Sequence, residues 1–163
     1  MVDRMPQRHF LFPGTLHVSR LECRITTVLG SCVSVCLWDQ VNGGGGMNHF
    51  MLPLWNGEGL ATPKYGSIAM ERLLERVLHS GCQQNYLVAK VFGGANISET
   101  TNGAFLIGDR NTNIALQTLK EWRIPVVSAD LGGKLGRKVI MNTLTGDVLV
   151  SKNAQASQSS QGI

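Results

Sequence analysis

The chain has 163 residues, 43% of them hydrophobic and 16% charged, with a formal net charge of +4. That is enough for one domain with its own core, and it excludes a disordered chain or a disulfide-dense secreted scaffold, since there are only four cysteines. No apolar run reaches the roughly 18–20 residues needed to cross a bilayer, no signal-peptide pattern follows the polar start, and the cations are scattered from Arg4 to Lys152; the expectation is a cytoplasmic protein with free thiols, no membrane insertion and no nucleic-acid partner.

In chain order, residues 1–9 read as a polar lead-in, 10–152 as a single domain, and 153–163, dominated by Ser and Gln, as a disordered tail. Arg24–Leu29 is rich in β-branched residues and stops at Gly30. Cys32–Trp38 sets Val33, Val35 and Leu37 against Cys32, Ser34 and Cys36, a period of two that predicts a strand. Four consecutive glycines make Val41–Gly46 a predicted loop, and Met47–Leu52 is apolar again up to Pro53. Ser67–Ser80 carries an apolar stripe through Ala69, Leu73 and Val77 and predicts a helix ended by Gly81. Leu87–Phe92 reads as a buried strand running into Gly93-Gly94. A second helix is predicted from about Thr112 to Trp122, burying Ala115, Leu119 and Trp122. Val126–Ala129 is a further strand, and Lys138–Leu144 with Asp147–Ser151 reads as a hairpin about Thr145-Gly146. Many strands and two main helices imply a layered α/β sandwich with a strand-rich core.

The strongest local chemical feature is Gly30-Ser31-Cys32, a cysteine placed directly after a glycine break between two strand-like runs. Such a break lifts a thiol out of the ladder and aims backbone N–H groups near Gly30 and Ser31 at an incoming carbonyl, as an oxyanion hole requires. Taken by itself, a buried structural cysteine is the commoner outcome. His49 is the natural partner: it lies in an apolar segment after a flexible loop, and imidazole is suited to drawing a thiol proton near neutral pH. His9 and His17 lie in the ragged start and His79 near the end of a surface helix. A metal held by Cys32, Cys36 and His49 is disfavoured, because Cys36 would lie about 13 Å along the strand from Cys32 and no fourth ligand is evident. Gly93-Gly94, and Gly132-Gly133 with Gly136, open no phosphate-binding helix and read as turn glycines.

The segments Thr26-Thr27-Val28-Leu29-Gly30-Ser31-Cys32 and Gly45-Gly46-Met47-Asn48-His49-Phe50-Met51-Leu52-Pro53 closely resemble the chemoreceptor glutamine deamidase family, CheD. Tyr65-Gly66, Lys90 to Ala95, Ile107-Gly108 with Arg110-Asn111, Asp130 to Gly133 and Gly136-Arg137-Lys138 extend the likeness from roughly Phe10 to Lys152. The resemblance implies hydrolysis of glutamine side-chain amides in the cytoplasmic domains of methyl-accepting chemoreceptors, without a cofactor. It carries a catalytic Cys, His and Thr onto Cys32, His49 and Thr26. Thr27 is adjacent and should face the other way, so only one of the two threonines can orient the imidazole. Members also bind a CheC-type phosphatase of the response regulator, so a non-enzymatic adaptor is the alternative function; a cysteine amidase acting on a different amide is a third.

Overall fold

The computed structural model describes residues 5–96 and 106–152. Among these, nine strands and two α-helices form an α/β fold: β1 (Gln7–Phe10), β2 (Leu16–Ser19), β3 (Cys23–Leu29), β4 (Val33–Asp39), β5 (Gly45–Asn48), α1 (Gly66–His79), β6 (Leu87–Gly93), α2 (Ile107–Glu121), β7 (Val126–Leu131), β8 (Arg137–Asn142) and β9 (Val148–Lys152). The strands make two sheets, in the orders β1-β3-β8-β9 and β2-β5-β4-β6-β7.

The alternation of side chains decides how these layers stack. In β3, Cys23, Ile25, Thr27 and Leu29 are buried while Arg24 and Val28 are exposed, so one face is inside and the other meets solvent. β4 is buried on both faces. Val33, Val35 and Leu37 pack with Ala69, Met70, Leu73 and Val77 of α1 and with Ala115 and Leu119 of α2. Cys36 instead joins Ile25, Leu29, Met47, Phe92, Val139 and Met141 in a second core. The result is three layers, helices on the five-stranded sheet and that sheet on the four-stranded one. Each fully buried Leu, Val or Met in either core stabilises the fold by about 1.5–3 kcal/mol.

Several sequence expectations shift here. Part of the supposed lead-in is a strand: β1 pairs in parallel with β3, from Gln7 opposite Cys23 to Phe10 opposite Thr26. β2 was hidden because its four residues are too short for a periodic signal. The glycine run is only half loop, since Gly45 and Gly46 belong to β5, between β2 and β4. A Cβ on Gly45 would strike the Leu37 carbonyl, and one on Gly46 the His17 carbonyl, so these glycines serve close strand approach. α2 begins five residues before the expected start, with Gly108 in its first turn pressed on the backbone of Gly94 and Ala95. The tail expected over 153–163, like residues 1–4 of the lead-in, lies outside the described residues.

Candidate active site

Gly30-Ser31-Cys32 forms the turn from β3, in one sheet, to β4, in the other. All three of its carbonyls are held. The N–H of Ala95 donates to the Gly30 carbonyl (3.0 Å) and that of Gly94 to the Cys32 carbonyl (2.9 Å). The Asn111 Nδ2 donates to the Ser31 carbonyl at 3.0 Å. Gly93 has φ +107, and a Cβ there would strike the Cys32 carbonyl, so the glycine pair seats the turn as well as bending the chain. With its carbonyls drawn toward α2 and β6, the turn leaves Cys32 partly accessible while Cys23, Cys36 and Cys82 are buried.

His49 is brought to the same place by register. Val33 pairs with Phe50, exchanging N–H···O bonds of 3.1 and 3.0 Å, and Cys36 pairs with Met47 in the same antiparallel register. Ser34 therefore stands opposite His49, and Cys32 is its diagonal neighbour on one face, at a spacing of about 7–8 Å between backbones that side chains can span. That face looks into the joint between the sheets: Cys32 packs against the core of Ile25, Leu29 and Met47, and the His49 ring reaches β3.

On β3 it meets Thr27, not Thr26. The Thr27 Oγ1 lies 2.7 Å from the His49 Nδ1, and both residues are buried. Thr26 is the residue expected at the ring; the hydroxyl that lies there is that of its neighbour Thr27. Thr26 follows Arg24 and Val28 onto the outer face, while Thr27 shares the inner face with Ile25 and Leu29. The same hydroxyl donates to the Leu11 carbonyl at 2.7 Å. A hydroxyl has one proton; with that proton on Leu11, Thr27 accepts from the ring, and Nδ1 carries the hydrogen. His49 Nε2 is then left as a lone-pair acceptor, and it is a buried atom with no hydrogen-bond partner among the described residues. The backbone of His49 is fixed too, its N–H donating to the Thr15 carbonyl (3.1 Å) and its carbonyl accepting from Gly14 N–H (2.8 Å).

Burial sets the charge state of the pair. Desolvation lowers the His49 pKa from 6.5 to about 4. Desolvation likewise raises that of the Cys32 thiol, against a smaller opposing effect of its own backbone N–H. Burial thus favours the neutral form of both the thiol and the imidazole. Stability should follow pH accordingly. The folded state binds fewer protons at His49 than the unfolded state between pH 6.5 and about 4, so stability rises with pH across that window and is lost on acidification through it. Desolvation lowers His17 as well, adding to the same slope. Asp39 is also lowered, by hydrogen bonds from Asn42, Gln83 and Val41 that outweigh desolvation, but acts only below its ordinary 3.8. Denaturant melts should show about 2 kcal/mol less stability at pH 5 than at pH 7, and a flat response would contradict the buried neutral imidazole.

Asn111 and the Leu11 carbonyl are parts of the site that sequence reasoning did not find. A signal for Asn111 existed: Gly108, Asn111, Ala115 and Leu119 form the buried stripe of α2, and an asparagine in such a stripe needs a partner. Among the described residues, no group of three or more His, Cys, Asp or Glu is placed to hold a metal ion, and no helix is long and apolar enough to cross a membrane.

A thiol at a carbonyl-held turn, a buried ring and a hydroxyl at the ring's Nδ1 are the group types that cysteine acyl transfer uses. The family model for CheD chemotactic sensory transduction matches residues 51–152. A protein of Trichlorobacter lovleyi named "Probable chemoreceptor glutamine deamidase CheD" is 66% identical over 152 residues, covering 93% of this chain and 94% of its own length, a span that takes in Cys32 and His49. Similarly named proteins of Sulfurimonas denitrificans and Anaeromyxobacter dehalogenans are 45% and 46% identical, over 88% and 82% of this chain and 93% and 77% of their own lengths. This chain belongs to the CheD family.

Proposed function

We propose that the protein is a protein-glutamine deamidase that converts particular glutamines in the cytoplasmic domains of chemoreceptors to glutamates, with Cys32 as nucleophile and His49 as base. The observation that carries this reading is the relay from His49 Nδ1–H through Thr27 to the Leu11 carbonyl, which leaves Nε2 unpartnered on the face it shares with Cys32. The likeness to relatives named for that activity supplies the substrate.

His49 Nε2 takes the Cys32 proton as the sulfur attacks the glutamine Cδ, and the carbonyl oxygen becomes an oxyanion facing the Cys32 N–H. The imidazolium gives its proton to the departing nitrogen, ammonia leaves, and a thioester remains. Water then attacks, with Nε2 accepting its proton, and the thiol is regenerated as the glutamate forms. Burial keeps the ring neutral at rest and able to accept the proton, and closure of the site by substrate, with the oxyanion donor, must offset the uphill transfer from the thiol.

The test is incubation of the protein with a cytoplasmic chemoreceptor fragment and mass-spectrometric counting of glutamines converted to glutamate. Conversion at a few defined glutamines is expected. Thr27→Val should slow it roughly ten- to a hundredfold, the cost of one orienting hydrogen bond of about 1–3 kcal/mol, and Thr26→Val should leave it within about twofold. An unconverted fragment would remove the deamidase reading, and a sensitive Thr26 with an indifferent Thr27 would remove the relay.

A further inference from the structure

The peptide between Ser31 and Cys32 has a fixed direction, and a single side chain fixes it. Asn111 is fully buried, and its Nδ2 spends both hydrogens on the site: one on the Ser31 carbonyl and one on the Met51 carbonyl, each at 3.0 Å. The first bond acts on the segment that carries the thiol, the second on the segment two residues beyond His49. A trans peptide points its C=O and N–H in opposite directions, and the described chain has no cis peptide. Holding the Ser31 carbonyl toward α2 therefore turns the Cys32 N–H away from α2. The backbone N–H of the nucleophile residue is a donor suited to the oxygen of a carbonyl that its sulfur attacks.

We infer that Asn111 is a positioning residue for the oxyanion hole: it locks the Ser31–Cys32 peptide so that the Cys32 N–H is presented to the tetrahedral intermediate. The inference rests on the deamidase reading and goes beyond it, since it assigns a role to a helix residue that touches neither thiol nor imidazole. The site is built for such a lock. The Gly30 and Cys32 carbonyls on either side are held by backbone N–H groups, whereas among the described residues the central carbonyl has no backbone donor and is held by this amide. The second bond, to Met51, makes the same side chain a tie between the nucleophile turn and the strand of the base. Asn111 Oδ1 is buried with no hydrogen-bond partner among the described residues, so the side chain keeps its orientation through its two donor bonds rather than through its acceptor.

An oxyanion role and a merely structural one separate by reaction type. Deamidation passes through an oxyanion, whereas alkylation of Cys32 by iodoacetamide displaces iodide and forms none. Asn111→Ala and Asn111→Asp, each checked for a cooperative melt, should lower kcat for a chemoreceptor fragment about a hundredfold, the usual cost of losing one oxyanion donor. KM should stay within about threefold and the rate of Cys32 alkylation within about twofold. Two variants are needed because one removes volume and the other keeps shape while placing a carboxylate against two carbonyls. If both keep full turnover while Cys32→Ala is inactive, the inference fails and the deamidase reading stands. If alkylation falls in step with turnover, Asn111 holds the fold rather than the hole, and the inference also fails. A wild-type protein that converts no glutamine would remove both.

Discussion

Cys32→Ala is expected to abolish glutamine conversion, by on the order of 10⁴-fold or more, with the melting behaviour nearly unchanged. The activity loss follows from the loss of the only group that bonds covalently to substrate; what binding and the remaining donors achieve alone is small by comparison. The neutral stability follows from position. Cys32 sits half-exposed at the edge of the core between the sheets, and its removal opens the site rather than a sealed cavity. Cys36→Ala makes the opposite pair of results. Cys36 is 1% exposed, packed in that same core, and burial pushes its thiol up to about 12. Its loss should cost about 1–2 kcal/mol through a cavity and leave turnover alone. Both are read by the glutamine-conversion assay beside a denaturant melt, and an active Cys32→Ala protein would end the enzyme reading.

How much of this was legible beforehand depends on what each residue's neighbours reveal. The α/β class, α1 and the β8–β9 hairpin were plain, because long periodic segments bounded by turn residues carry their own signal. β1 and β2 were not: four-residue strands at a sheet edge are defined by their partners β3 and β5 rather than by their own pattern. Cys32 and His49 stood out as residue types, and their placement on one face comes from the Val33–Phe50 pairing, which no local pattern announces. Thr27 is the instructive case. Resemblance alone pointed to Thr26, yet Arg24 at an even position and Ile25 and Leu29 at odd ones already say which face is inside. Asn111 lay in a segment singled out only for its likeness to the family, and its bond to the Ser31 carbonyl appears only when α2 is seen packed on β4 and β6.

His49→Ala is the other change of large effect, and its consequences distinguish a base that acts during attack from one that holds a resting ion pair. Loss of a positioned general acid–base group costs typically 10²–10⁴-fold, and glutamine conversion should fall by that much. In an ion-pair enzyme the same change would also suppress alkylation, because the thiolate would vanish with its counter-charge. Here desolvation already keeps the Cys32 thiol protonated, and what offsets it is the thiol's own backbone N–H. Cys32 should therefore react with iodoacetamide ahead of Cys23, Cys36 and Cys82 because it is the accessible one, with a rate that climbs as pH rises through 9 rather than a plateau in acid. His49→Ala should leave that rate within about threefold. Thr27 keeps its bond to Leu11 in the variant, so the strands should still meet and the melt remain cooperative. A large drop in alkylation together with the drop in turnover would mean that the imidazole carries the thiol proton before substrate arrives, contrary to the buried, neutral ring.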